Sequence, residues 1–306
     1  MMAAPNPRVG LVGVGAMGAP MAACLIKAGY QVSVFDSNAQ RAAAFAQEHG
    51  LRPAESLAGL AGQSDAVITI LPNSAIVEEV LFGQGGMAPA LRRGAVVIEM
   101  TSGVPSKTVA FSERLARQGV ALFDAPVSGG VPRARTGELT IMAGGEQRDI
   151  DAAMPILSAL GKVIHTGRIG TGHAMKALNN LVSSAGFLIG IEALLIGSRF
   201  GIDPATMVDV LNVSTGMNNS TQKKFKQYVL SRKFDSGFAM ALMVKDLTIA
   251  LGIAHENDVN APFAELCRNL WAGAGAILGP QADHTAVALL SEQLAGTQIG
   301  NTAAPS

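Results

Sequence analysis

The chain has little of what several common chemistries need. Two cysteines, Cys24 and Cys267, cannot build a disulfide framework in 306 residues, and neither stands near another Cys or a His at metal-ligand spacing. The five histidines are scattered at His49, His165, His173, His255 and His284, with no HExxH and no CxxC. A zinc enzyme and a secreted disulfide scaffold are excluded, and no metal is expected. An excess of charge of one sign is also missing: 23 basic and 23 acidic side chains leave a formal net charge of zero. Nucleic acids and anionic membranes both require a basic field, so neither is expected as a partner. Long apolar runs are scarce. The longest, Leu181 to Ile196, is interrupted by Ser183, Ser184 and Glu192 and falls short of the roughly 18 to 20 apolar residues a membrane span needs. It reads as a long buried helix. Met1 to Pro7 has no apolar signal core and no Arg-rich transit pattern, so a cytoplasmic location is expected.

What is present alternates. Strand-like runs at Arg8–Val14, Gln31–Phe35, Ala66–Leu71, Ala95–Met100 and Val120–Asp124 are separated by helical windows at Ala19–Ala28, Ala39–His49, Ser74–Leu81 and Ser106–Arg117. Near-continuous apolar strands between helices mark βαβ units and a parallel sheet covered on both faces. Leu139–Ala143 and Lys162–His165 flank a further helix, Arg148–Leu160, and extend the sheet in mixed orientation. After Gly167 only helical pattern follows: His173–Phe200, Pro204–Asn212, Ser220–Ser231, Met240–Asn257, Ala261–Ala276 and Thr285–Leu294. The expected fold class is therefore an α/β domain with a mainly parallel sheet over residues 1–168, then an all-α domain over 169–296. Residues 297–306 lack an apolar period and are expected to be a disordered tail.

Gly13, Gly15 and Gly18 form a GxGxxG that follows the first strand and opens the first helix. That context turns a weak motif into a Rossmann dinucleotide site. Gly13 permits the tight turn, Gly15 lets backbone approach a pyrophosphate, and Gly18 lets helix and strand pack closely. The free N–H groups of the helix start face the phosphates. Asp36 ends the second strand, where a carboxylate accepts from an adenosine 2′-hydroxyl and repels a 2′-phosphate. NAD is expected over NADP, with Arg41 placed a helical turn beyond the ribose and no arginine beside Asp36. A short-chain dehydrogenase is excluded, because neither Tyr30 nor Tyr228 has a lysine four residues on.

Ligands of such sheets bind beyond the carboxyl ends of strands. Leu71 and Pro72 stand there and can wall the cofactor, and Thr101 occupies the matching place after the next strand. Ser128-Gly129-Gly130 follows the strand ending at Asp124 and offers a hydroxyl and amides to a substrate carboxylate, against the plainer reading of a Gly-Gly turn. Lys176 and Asn180 share one face of the long helix. A lysine in a mostly apolar helix suits proton exchange, because burial lowers its pKa; a snorkelling lysine is the alternative. Lys245-Asp246 is a second conspicuous pair within an apolar helix, readable also as a salt bridge.

These residues resemble the β-hydroxyacid dehydrogenases, the group of 3-hydroxyisobutyrate dehydrogenase and tartronate semialdehyde reductase. The resemblance runs from Val9 to about Leu294 and rests on four ordered motifs: Gly10–Met21 with Ala16 and Met17 inside the glycine turn, Asp124–Gly130, Gly172–Asn180 and Lys245–Leu247. It implies that Lys176 is the general acid/base, that Ser128, Gly129 and Gly130 hold the substrate carboxylate, and that Asn180 orients substrate and lysine. Lys245 is implied to close over the nicotinamide end. It also implies a long interdomain helix, an oligomerising helical domain and a homodimer or homotetramer. The reaction implied is hydride transfer between NAD and a small β-hydroxy carboxylate or the matching semialdehyde. The rivals are an NADPH-dependent reductase of glyoxylate, succinic semialdehyde or tartronate semialdehyde, disfavoured by Asp36, and a catalytically silent NAD-binding sensor, disfavoured by the intact lysine set. Pro132, Arg133 and Arg135 depart from the small residues the family places between Gly130 and Gly137, and bear on which substrate is accepted. An inward-turned Arg133 or Arg135 selects a larger or doubly acidic substrate, with Met217, Asn218 and Asn219 on the far side; on a surface loop, both point to solvent or to a neighbouring subunit.

Overall fold

The computed structural model describes residues 7–300. Contacts divide the chain into two compact units, residues 1–176 and 177–306. The division falls inside the long helix and not at 168/169.

The first unit runs β1 (Val9–Val12), α1 (Gly18–Lys27), β2 (Val32–Phe35), α2 (Ala39–Glu48), α3 (Leu57–Gln63), β3 (Ala66–Thr69), α4 (Ser74–Phe82), β4 (Val96–Glu99) and α5 (Pro105–Ala116). It continues with β5 (Ala121–Asp124), β6 (Val127–Ser128), α6 (Gly130–Thr136), β7 (Leu139–Gly144), α7 (Gln147–Ser158) and β8 (Gly161–Gly167), then the start of α8 (Thr171–Phe200). Among the described residues the sheet has eight strands in the order β2-β1-β3-β4-β5-β7-β6, with β8 on β7. The first five are parallel. β7 reverses, pairing antiparallel with β5 and β6 and parallel with β8, so the mixed orientation of the later strands is present.

Alternation within each strand builds two cores. Leu11, Ile68 and Ile98 pack on one face, while their neighbours Val12, Val67 and Val97 pack on the other with Phe111 and Leu115. Side chains accepting from backbone amides start the helices: Asn38 from Arg41 N at 3.0 Å and Asn73 from Ile76 N at 3.0 Å. Two short α-helices have no counterpart in the expected pattern. Helix α3 is an Ala/Gly-rich turn of helix too brief for a readable period. Helix α6 occupies the stretch with Arg133 and Arg135 that reads as a surface loop; only Ala134 of it is buried, so its apolar signal is one residue wide.

The second unit holds the rest of α8, then α9 (Pro204–Asn212), α10 (Asn219–Lys223), α11 (Met240–Glu256), α12 (Pro262–Leu278) and α13 (Val287–Ala295). Its core gathers Phe187, Ile191, Phe225, Met240, Leu247 and Trp271. Helix α8 is long and apolar enough to cross a membrane by length and composition, but Phe187, Leu188, Ile191, Leu194 and Leu195 sit in this core. The single helix expected over Ser220–Ser231 breaks at Lys224 into α10 and a π-helical stretch, Phe225–Leu230. The first residues of the expected tail make contacts. Ile299 packs on the core, its amide donates to Glu292 Oε1 at 3.1 Å, and Gly300 N donates to Ser198 Oγ at 3.1 Å. Residues 297–300 are thus ordered by polar contacts that carry no apolar period; 301–306 lie outside the described residues.

Candidate active site

The glycine turn is built as its spacing requires. A Cβ on Gly18 would collide with the carbonyl of Gly13, and one on Gly13 with the carbonyl of Ile70. These two glycines therefore bring α1 against β1 and β3. In front of Gly15 there is nothing within 4 Å of a Cβ position, which leaves the open backbone approach a pyrophosphate needs. Ala16 is exposed and Met17, half-buried, precedes α1 as its N-cap. The arrangement fits a dinucleotide.

Asp36 follows β2, its Oδ2 accepting from Val14 N at 3.0 Å and its Oδ1 from Asn38 N at 2.8 Å. These bonds lock the carboxylate beside the glycine turn. Arg41 is not a turn beyond it. Its Nη1 lies 3.5 Å from both Asp36 oxygens, while its amide donates to the Asn38 cap in the first turn of α2. Leu71 and Thr101 are joined: Leu71 N donates to Thr101 Oγ1 at 3.0 Å, and Thr101 is fully buried. Thr101 thus ties the ends of β3 and β4, with Pro72 exposed at the rim.

Ser128 ends β6, opposite Thr140 of β7. Gly129 and Gly130 follow with φ of 130° and 66°, left-handed values that turn the chain sharply into α6. The turn is more than a link, for the Arg133 stem packs over it: a Cβ on Gly129 would lie 2.7 Å from Arg133 Cδ. Arg133 and Arg135 are both exposed.

Lys176 sits half-buried in the second turn of α8. One turn on, Asn180 is buried and its Nδ2 donates to Asp246 Oδ2 at 2.5 Å; Asp246 in turn lies 3.4 Å from Lys245 Nζ. The Lys245-Asp246 pair is therefore a local ion pair whose carboxylate also fixes the Asn180 amide. Asn218 is engaged locally. Its side chain caps α10, accepting from Ser220 N at 2.8 Å and Thr221 N at 3.1 Å, while Met217 and Asn219 are exposed.

A buried polar cluster escapes the sequence reading. Glu99 at the end of β4, Asp124 at the end of β5 and His173 in the first turn of α8 are each no more than 1% exposed. His173 Nε2 lies 2.7 Å from Glu99 Oε2, and Gly103 N donates to His173 Nδ1 at 3.3 Å. Asp124 accepts from Gly170 N at 2.6 Å and His173 N at 2.7 Å. Burial pushes the Asp124 carboxyl above its ordinary range, against the opposing pull of His173 and of these amides. The available signal was a carboxylate at the last position of two otherwise apolar strands.

With this geometry in view, the relatives are informative. Residues 8–170 match the NAD binding domain of 6-phosphogluconate dehydrogenase, and residues 170–291 match the NAD-binding domain of NADP-dependent 3-hydroxyisobutyrate dehydrogenase. The chain is 37% identical over 294 residues to the 2-(hydroxymethyl)glutarate dehydrogenase of Eubacterium barkeri, covering 95% of this chain and 97% of that protein. It is 33% identical over 270 residues to the 3-hydroxyisobutyrate dehydrogenase of Pseudomonas aeruginosa, covering 86% and 90%. The solved Mycobacterium tuberculosis 3-hydroxyisobutyrate dehydrogenase with L-serine superposes with a TM-score of 0.86 at 28% identity, covering 93% of this chain and 99% of that one. The glycine turn, the parallel sheet and the long helix with its lysine thus belong together, and the chain is a member of the β-hydroxyacid dehydrogenase family, an NAD(P)-dependent oxidoreductase of hydroxy acids.

Proposed function

We propose that the protein oxidises a small, doubly acidic β-hydroxy carboxylate with NAD, and reduces the matching semialdehyde in reverse. The observation that carries the reading is the Arg133 stem lying over Gly129; in this reading the guanidinium at its end reaches a substrate held at the Ser128-Gly129-Gly130 turn. In this reading the turn binds the carboxylate near the reacting carbon, and Arg133 binds a second one. The relative named for 2-(hydroxymethyl)glutarate, a dicarboxylate, supports it.

A bound nicotinamide would supply the hydride acceptor for the substrate's hydroxyl carbon. Lys176 takes the hydroxyl proton as that carbon is oxidised, and returns it to the carbonyl oxygen in reduction. Asn180, its amide fixed by Asp246, orients substrate from the next turn of the same helix. Gly13, Gly15, Ala16, Met17 and Gly18 would hold the pyrophosphate, and Asp36 would accept from the adenosine ribose. Leu71, Pro72 and Thr101 would complete the contacts at the ends of the strands. The protein acts as a homo-oligomer in the cytoplasm.

The test is NADH formation with pure protein and a panel of hydroxy acids, alongside their uncharged amides and methyl esters. Activity confined to the acids, and greatest with a dicarboxylate, is the expected outcome. Equal rates on an acid and its ester would remove the carboxylate requirement.

A further inference from the structure

We propose that Glu99, His173 and Asp124 form a positioning device for Lys176, one that sets the reach of the lysine by clamping the first turn of α8 to the carboxyl ends of β4 and β5. The proposal rests on the acid/base role assigned to Lys176 above.

Helix α8 starts at Thr171, and its free amides need partners. Asp124 accepts two of the amides around this start, Gly170 N and His173 N, at 2.6 and 2.7 Å. The approach is close: a Cβ on Gly172 would lie 2.8 Å from Asp124 Oδ2 and would collide with the carbonyl of Met142. The helix start is thus held by a carboxylate whose own position is set by β5. His173 adds a second, sideways tie. Gly103 N approaches Nδ1 at 3.3 Å, and Nε2 meets Glu99 Oε2 in a close ion-pair contact at 2.7 Å. Glu99 is oriented in turn by Thr101 N at 2.8 Å on its other oxygen. A Cβ on Gly103 would lie 3.3 Å from both Glu99 Oε2 and His173 Cε1, so the pair is enclosed.

Lys176 follows His173 by one turn on the same face of the helix. A rotation or slide of the first turn therefore moves the lysine directly. Buried charges are costly unless paired, and here Asp124 is met by two amides and Glu99 by the His173 ring. What the polar cluster adds is direction: the amide bonds run along the helix start and the His173–Glu99 contact ties it from the side, so a rotation of the first turn disturbs both.

The experiment compares His173→Leu, His173→Gln and Lys176→Ala. Turnover is expressed per cofactor site titrated by fluorescence, so that misfolded protein drops out. His173→Leu is expected to lower kcat by about ten- to a hundredfold, the scale of small misplacements, with Kd for the cofactor unchanged. His173→Gln, whose amide can still donate to Glu99 and span the same gap, is expected to restore most of that loss. In a Lys176→Ala background, His173→Leu is expected to add nothing further. Should His173→Leu fail to fold, the isosteric Glu99→Gln is expected to show the same split between kcat and cofactor Kd. An unchanged kcat per site in either variant, or equal loss in the Gln and Leu variants, overturns the positioning role while leaving Lys176 as acid/base. An active Lys176→Ala overturns both.

Discussion

Asp36 and Arg41 meet at the end of β2, and the choice of nucleotide is a contest between them. The carboxylate is held by two backbone amides, while the guanidinium lies at the long distance of 3.5 Å and is half-exposed. Asp36 is therefore the fixed group and Arg41 the movable one. Asp36→Asn is expected to narrow the preference for NAD by relieving repulsion of a 2′-phosphate, and Arg41→Ala to raise KM for NADP while sparing NAD. If the unmodified enzyme already favours NADP, Asp36 does not set the choice. Lys176→Ala is expected to leave cofactor binding near wild type and to cut turnover by about 10²–10⁴-fold, the usual contribution of an acid/base group. Turnover within about threefold of wild type would take the lysine out of the proton transfer. Arg133→Ala should cost about 1.5–3 kcal/mol of kcat/KM toward a dicarboxylate, the range of a charge-assisted hydrogen bond, with little effect on a monocarboxylate. An equal loss on both would show that the arginine supports the turn and not the second acid group.

Among the elements, the segment joining α12 to α13 carries a pH dependence of its own. His284 stacks near Trp271 and meets Phe238 edge-on, with Ser236 Oγ 3.0 Å from its Nδ1. Burial, reinforced by Lys224, pushes its pKa down to about 4. Burial works the other way on Asp283, but hydrogen bonds from Thr285 and Ser236 and the neighbouring imidazole hold that carboxyl below its ordinary range. A histidine with a depressed folded-state pKa binds fewer protons than the unfolded chain as pH falls, so its stability contribution is complete above its ordinary value and is lost as pH drops toward about 4. Asp283 extends the loss below the ordinary carboxylate range. The urea midpoint should fall steadily between about pH 6.5 and 4, and His284→Gln should flatten that slope. A midpoint that does not move over this interval would mean that His284 titrates alike in both states.

At the scale of the molecule, the long helix leaves a surface to account for. Val182, Ile189 and Ile196 recur every seven residues on α8 at 74, 57 and 72% exposure, and Phe200 follows at 85%. Seven-residue apolar spacing is the pattern of a helix that packs along another helix, and such a stripe in water is an interaction surface. Light scattering should show a dimer or larger assembly, and Val182→Glu with Ile189→Glu should shift it to smaller species. A wild-type monomer at micromolar concentration would end the oligomer reading and leave the stripe unexplained.

The sequence by itself determined the parts whose signal is local and periodic. Near-continuous apolar runs in β1, β3 and β4, a GxGxxG between a strand and a helix, and a lysine with an asparagine one turn on are each legible within a few residues. That was enough for the fold class and the cofactor class, and the resemblance carried by the four motifs added the reaction. Tertiary structure alone decided what depends on partners far apart in the chain. Asp246 locks Asn180 from a helix 66 residues away, and Gly300 is held by Ser198 across 102 residues. The Glu99–His173–Asp124 cluster is the fullest case. Its members look like two strand ends and a stray histidine until the sheet sets β4 beside β5 and α8 begins above them, because the energy of a buried polar group lies in its partners and not in its own residue type.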